Sequence, residues 1–197
     1  VAAIAPRGSI WHPPHVVYMD KIIVDETVAP YLVDDCLDAP AAWTLSLVAR
    51  AKGMKVNNLS VFVLDRPRHA DLIAEIRAAG AHVMLRTDGD IAGALMVCTP
   101  RSGVDILMGT GGIPEGLLAA CAIKCLGGAM ISRLDPQSEQ EKITIQATGY
   151  NQRTIFKTSD LVKSEQVFFA ATGITDGPLL KGVIYHGHKA ETNSLVL

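Results

Sequence analysis

Short apolar runs and amphipathic stretches alternate along most of the chain, and turn residues separate them. Runs of about four to eight apolar or β-branched residues are typical of strands, and apolar residues at helical spacing predict the helices between them. We predict strands at 18–25, 59–64, 82–85, 104–108 and 129–134. We predict helices at 41–53, 70–80, 91–98, 114–128 and 137–148, and a strand-rich end over 166–173, 181–188 and 193–197.

The order of these elements indicates the fold class. Segment 59–64, LSVFVL, is apolar at nearly every position, so we expect this strand to be covered on both faces. Strands and helices alternate with short connections, which predicts an α/β layered sheet that is at least partly parallel. The 197 residues are enough for one well-buried core, and no internal repeat divides them.

Composition and charge narrow the function classes. The formal net charge is −2 and only 19% of residues are charged, so electrostatics favours neither nucleic acid nor an anionic membrane surface as a partner. No apolar run reaches the roughly 18–20 residues that a membrane span needs. The four cysteines follow no zinc-ribbon or disulfide-scaffold spacing, so we expect them to behave as small apolar residues. We therefore expect the protein to lie in a reducing compartment.

Two arginines follow the predicted strand 59–64, in the segment DRPRH (65–69). In open α/β sheets, ligands bind outside the carboxyl ends of the strands, so this connection is a candidate site. Arg66 and Arg68 flank Pro67, and guanidinium groups match phosphate in bidentate geometry. The segment therefore predicts a phosphate-binding pair, and the alternative is a solvated turn that carries two surface arginines.

Two carboxylates follow the next predicted strand. Asp88 and Asp90 flank Gly89, which allows a sharp turn that directs both side chains into one volume. Such a pair suits hydrogen bonds to sugar hydroxyls, a divalent cation, or a general base. The alternative is a β-turn with aspartate at its favoured positions.

A glycine-rich turn is predicted at 109–112, between strand 104–108 and the helix that follows. A helix N-terminus binds anions through free N–H groups, and Glu115 in its first turn either stabilises the helix end or projects a carboxylate toward a metal. A dinucleotide site is the rival, but Pro114 occupies the position of the third fingerprint glycine. Asp135, about 20 residues on, keeps that alternative open.

Five segments carry a pattern more specific than ordinary turns produce. They are VYMDKIIV (17–24), VFVLDRPRHADLIAEIRAAGA (61–81), DGDIAGAL (88–95), GTGGIPEGLLAACAIKCLGG (109–128) and FFAATGITDGPLLKGV (168–183). Together they resemble the class II fructose-1,6-bisphosphatases of bacteria, and especially the bifunctional fructose-1,6-/sedoheptulose-1,7-bisphosphatases of cyanobacteria.

The resemblance implies a layered α/β sugar-phosphatase sandwich, of which this chain is the substrate-binding C-terminal half. It implies metal-dependent removal of the 1-phosphate of fructose 1,6-bisphosphate, with sedoheptulose 1,7-bisphosphate as a second candidate substrate, in gluconeogenesis or the Calvin cycle. The substrate-contacting residues that it implies are Tyr18, Arg66, Pro67, Arg68, Asp88, Gly89, Asp90 and Gly112. Glu115 matches a glutamate that coordinates Mg²⁺ or Mn²⁺.

The resemblance also implies an N-terminal half with the other metal ligands and a catalytic threonine, which these 197 residues do not contain. The catalytic residues are therefore unknown from this sequence, and we expect the 197-residue piece, truncated at both ends, to be inactive alone. The alternative is a non-catalytic binding or assembly module that keeps the fold. For the whole protein we expect a homo-oligomer that binds a phosphorylated sugar, in the cytoplasm or in an organelle such as a plastid.

Overall fold

The computed structural model describes residues 1–13, 17–87 and 89–197. The strands in this part of the chain are β1 Ala2–Ile4, β2 Tyr18–Val24, β3 Ser60–Leu64, β4 His82–Arg86, β5 Ile106–Gly112, β6 Ala129–Leu134, β7 Ile155–Lys157, β8 Phe168–Thr172, β9 Ile184–His186, β10 Lys189–Glu191 and β11 Ser194–Val196. The α-helices are α1 Ala41–Ala51, α2 Ala70–Ala78, α3 Asp90–Cys98, α4 Ile113–Cys125, α5 Glu139–Ala147 and α6 Thr158–Leu161.

A six-stranded mixed sheet forms the centre of the molecule, in the order β4-β3-β5-β2-β6-β7. β3 pairs in parallel with β4 and with β5, which confirms the partly parallel sheet predicted from the sequence. β2 lies between β5 and β6 and is antiparallel to both. The start of β2 therefore lies at the same sheet edge as the carboxyl end of β5.

Helices cover both faces of this sheet. On β2, Met19 and Ile23 point into a core formed with α3 and α4, whereas Ile22 and Val24 point into the core formed with α1 and α2. A second sheet, β1-β8-β11, packs against α3 and α4, with Phe169 in the contact. The layers are thus helices, sheet, helices, sheet, as expected for a layered α/β sandwich.

The glycine segment 109–112 is not the turn that the sequence predicted. It continues β5 as strand to Gly112, and its residues pair with β2 in the register Tyr18↔Gly112 to Lys21↔Gly109. Glycine has a low propensity for strands and no side chain to reveal a pattern, so only pairing with the neighbouring strand decides this conformation. The strands β1 and β7 and the short helix α6 were also not predicted, and segment 181–188 contributes to a hairpin of β9 and β10.

The four cysteines are free, and two of them are fully buried. Burial raises the pKa of the Cys98 thiol to about 12 and that of Cys121 to about 11. These two thiols therefore stay protonated at neutral pH and act as small apolar residues, as expected.

The helices of the described ranges are each too short or too polar to cross a lipid bilayer.

Candidate functional site

One cavity, of about 570 Å³, opens where the connections after β3, β4 and β5 meet. It is lined by the predicted site residues Tyr18, Arg66, Arg68, Gly89, Asp90, Gly112 and Glu115, together with Val17, Leu64, Gly111 and Pro114. The carboxyl ends of the parallel strands supply most of these residues, and antiparallel β2 brings Tyr18 to the same edge. Pro67 does not line the cavity but begins a 3₁₀ turn, Pro67–His69, and Asp88 lies outside the described residues.

The side chain of Arg68 is held in place on two sides. Its Nε and Nη2 atoms donate to the Thr110 carbonyl oxygen at 3.1 and 2.8 Å, and its guanidinium carbon lies 4.8 Å from the centre of the Tyr18 ring. Of the five N–H groups of this arginine, the two on Nη1 and the second on Nη2 have no partner among the described residues. Neither Arg68 nor Arg66 forms a salt bridge with a carboxylate in the ranges that the structure covers. Their two positive charges are therefore available to an anion.

His69 links the arginine segment 65–69 to β5 through hydrogen bonds of its ring, and it was not among the predicted site residues. Its Nδ1 lies 2.6 Å from the Leu64 carbonyl oxygen, and its Nε2 accepts a hydrogen bond from the Thr110 N–H at 2.8 Å. This pair of partners requires the neutral ring with the proton on Nδ1. Burial lowers the pKa of His69, and the nearby charges of Arg68 and Lys21 lower it further. The only signal in the sequence was the position of the histidine directly after the two arginines.

The backbone of Thr110 explains why these side chains converge. β3 pairs with β5 only as far as Phe62↔Leu107, so the N–H and C=O of Thr110 have no strand partner on that side. Instead, the Thr110 N–H donates to His69, and the Thr110 C=O accepts hydrogen bonds from Arg68. The Thr110 hydroxyl donates to Asp135 Oδ2 at 2.6 Å. Asp135 is thus engaged within the protein, which weighs against its use as the ribose-binding carboxylate of a dinucleotide site.

Asp90 lines the cavity but is largely buried. It is the first residue of α3, where the helix dipole favours a negative charge, and its side chain is 8% exposed. Lys21 Nζ lies 2.8 Å from Asp90 Oδ2. Lys21 was not among the predicted site residues, because a lysine inside a strand pattern carries no indication of its partner.

Glu115 lies at the exposed start of α4, in the first turn of the helix. In the described ranges it has neither a salt bridge nor a side-chain hydrogen bond, so it is free to bind a cation. A Cβ atom at Gly112 would overlap Glu115 Oε2, and the glycine therefore leaves room for the carboxylate. Within residues 1–13, 17–87 and 89–197, no three His, Cys, Asp or Glu side chains lie close enough together to hold a metal ion.

A second cavity, of about 320 Å³, adjoins this end of the site. It shares Gly89, Asp90 and Glu115 with the first cavity, and its other walls come mainly from α3 and the loop after β8. The arginines line only the first cavity. The site therefore has a basic part at Arg66 and Arg68 and an acidic part at Asp90 and Glu115.

Comparison with known proteins gives consistent matches over the whole chain. A family model described as bacterial fructose-1,6-bisphosphatase, glpX-encoded, matches residues 1–197. A fructose-1,6-bisphosphatase class 2 of Haemophilus influenzae is 37% identical over 193 residues, which are 91% of this chain and 57% of that protein. Two Synechococcus sp. proteins, from strains JA-3-3Ab and JA-2-3B'a(2-13), are both named D-fructose 1,6-bisphosphatase class 2/sedoheptulose 1,7-bisphosphatase. They are 37% and 36% identical over 210 residues, 100% of this chain and 59% of each protein. The chain thus spans little more than half the length of these curated relatives.

Proposed function

The chain belongs to the bacterial glpX-encoded fructose-1,6-bisphosphatase family, and on this premise we propose that it supplies the substrate-binding part of a sugar bisphosphatase. The family match bears out the resemblance found in the five sequence segments. The proposed reaction is hydrolysis of the 1-phosphate of fructose 1,6-bisphosphate. Sedoheptulose 1,7-bisphosphate is the second proposed substrate, because two relatives carry both activities in their names. The observation that carries the proposal is one cavity lined by Asp90, by Glu115 and by two arginines that have no carboxylate partner among the described residues.

The basic part of the site suits the phosphate that is not cleaved. Arg66 and Arg68 have no carboxylate partner in the described ranges, and guanidinium groups bind phosphate with charge-assisted hydrogen bonds. Arg68 is already oriented by Thr110 and Tyr18, so little side-chain freedom is lost when an anion binds. Binding of this distal phosphate would position the reacting end of the substrate.

The Asp90 carboxylate suits the sugar hydroxyls. It can accept hydrogen bonds, and it lines the same cavity as the two arginines and Glu115. We propose the same role for Asp88. A sugar that lacks a matching hydroxyl leaves a buried acceptor unpaired, which is a strong source of selectivity.

The acidic end suits a divalent cation. The exposed carboxylate of Glu115 fits one oxygen ligand of Mg²⁺ or Mn²⁺, and we propose that the remaining ligands lie in the part of the polypeptide outside these 197 residues. When bound, such an ion polarises a phosphoryl oxygen and lowers the pKa of a water ligand. Gly112 supports this role of Glu115 by keeping the space beside the carboxylate open.

The proposal is tested with the full-length polypeptide, by phosphate release from fructose 1,6-bisphosphate in the presence of Mg²⁺ or Mn²⁺. Glu115→Gln keeps the size of the side chain and removes its charge, and we expect turnover to fall by at least about 10²-fold. The control is Glu139→Gln, an exposed glutamate in the first turn of α5, which should leave turnover unchanged. Wild-type turnover in Glu115→Gln would contradict the proposal.

A further inference from the structure

Lys21 is a fully buried charged residue in the central sheet, and the proposed function gives it no role. It lies on β2 with a relative exposure of 0%, on the same face of the strand as Met19 and Ile23. Transfer of an ammonium group from water into such surroundings is unfavourable unless a counter-charge compensates it. The charge of Lys21 therefore needs a counter-charge inside the fold.

The counter-charge is Asp90, 69 residues further along the chain. Lys21 Nζ and Asp90 Oδ2 form an ion pair at 2.8 Å, and within the described ranges neither atom has a hydrogen-bond partner. An ammonium group carries three donors and no acceptor, so its interaction here is directed at one carboxylate oxygen. Oδ2 is inaccessible to solvent, whereas the Asp90 side chain as a whole keeps 8% exposure and lines the cavity.

Gly111 provides the space for this ion pair. A Cβ atom at Gly111 would lie 2.6 Å from Lys21 Nζ and would overlap Asp90 Oδ2. The pair is thus enclosed by β2, by the backbone of β5 and by the first residue of α3. Three elements of the fold determine where the carboxylate of Asp90 lies.

We propose that Lys21 is a positioning residue of the sugar-binding site that acts through Asp90. It pairs with Oδ2 and keeps the carboxylate oriented, which leaves Oδ1 as the acceptor for a sugar hydroxyl. Lys21 itself does not line the cavity and does not touch the substrate. The inference rests on the proposed function, because it assigns Lys21 to the sugar-binding step of that reaction.

The test is a double-mutant cycle in the full-length enzyme, read out as KM and kcat for fructose 1,6-bisphosphate. Asp90→Asn removes the charged acceptor, and Lys21→Met removes the ammonium while keeping an unbranched chain. We expect each to raise KM about tenfold or more, as for loss of a hydrogen bond to a charged group, and to change kcat less than about threefold. The double variant should show the KM of Asp90→Asn, because Lys21 acts through Asp90.

A purely structural role would give a different pattern. Lys52 is the matched control, since it pairs with Asp25 and Asp105 at 2.8 Å each and does not line the cavity. Lys52→Met should lower the denaturant midpoint of unfolding and leave KM unchanged. Lys21→Met should lower the midpoint and raise KM, and the double variant should recover part of the midpoint because no unpaired buried charge remains.

The readouts separate this inference from the proposed function. A wild-type enzyme without bisphosphatase activity would refute the proposed function and with it the sugar-binding role, while the unfolding midpoints would still measure the coupling between Lys21 and Asp90. A folded Lys21→Met enzyme with wild-type KM, or additive effects on KM, would overturn the inference. If Lys21→Met does not fold, the comparison of Asp90→Asn with the double variant decides, and a higher KM in the double variant overturns it.

Discussion

Replacement of His69 by leucine probes the contacts that hold the arginine segment against β5. His69 is 3% exposed and joins the Leu64 carbonyl oxygen to the Thr110 N–H. Leucine fills a similar volume but has neither a donor nor an acceptor. Both backbone groups lose their partners, and the hydrogen bond of the Thr110 N–H is buried.

The structure sets the size of the effect. An unsatisfied buried backbone group costs about 1–3 kcal/mol, and the Leu64 carbonyl is only partly buried and should cost less. We therefore expect His69→Leu to lower the free energy of unfolding by about 2–4 kcal/mol near neutral pH. In His69→Leu, the adjacent Arg68 should also lose its fixed orientation. The KM for fructose 1,6-bisphosphate should therefore rise.

The pH dependence has a defined sign. The pKa of His69 is lowered from 6.5 by burial, so below that pH the unfolded chain binds a proton that the folded chain does not. Wild-type stability therefore falls as the pH decreases from 6.5 toward the lowered pKa, with a slope from this residue of up to about 1.4 kcal/mol per pH unit. His69→Leu lacks this loss, so the difference between the two proteins shrinks at acidic pH.

The assay is urea unfolding of the full-length protein and its variants at about pH 7.5 and about pH 5.5. The exposed His82, at the start of β4, provides the control. His82→Gln should change the free energy of unfolding little and follow the wild type at both pH values. The free energies of unfolding of wild type and His69→Leu should differ less at about pH 5.5 than at about pH 7.5. An unchanged difference would refute a neutral His69 ring with two hydrogen bonds.

Two further predictions concern the two ends of the cavity. Arg68→Met removes the guanidinium oriented by Thr110, and KM in the phosphate-release assay should rise about tenfold or more. Arg77→Met, on the exposed side of α2, should leave KM unchanged, and equal KM values for the two variants would exclude Arg68 from phosphate binding. Gly112→Ala fits the backbone, since φ is −63°, but its Cβ would overlap Glu115 Oε2. It should raise the Mg²⁺ concentration needed for half-maximal activity with little change in the unfolding midpoint, and an unchanged metal requirement would contradict the role of Glu115.

Local pattern was sufficient for most of the central elements. The apolar run that forms β3 and the helical spacing that forms α2 are short-range features, and both elements lie close to the predicted positions. Ligands bind at the carboxyl ends of parallel strands, and this rule is enough to assign Arg66, Arg68 and Asp90 to one edge of the sheet. Tyr18 came only from the family resemblance, since nothing local shows that β2 runs antiparallel to β5.

Local patterns thus predicted the α/β class and most of the strands and helices, and the five quoted segments indicated the family and the residue types of the site. Tertiary structure alone decided that the glycine segment is strand, that His69 and Arg68 bind the backbone of Thr110, and that Lys21 pairs with Asp90. The physical reason is range. Periodicity and propensity act over a few residues, whereas these contacts join residues from 41 positions apart, as in His69 and Thr110, to 94 positions apart, as in Tyr18 and Gly112. The pairing of whole strands brings them together.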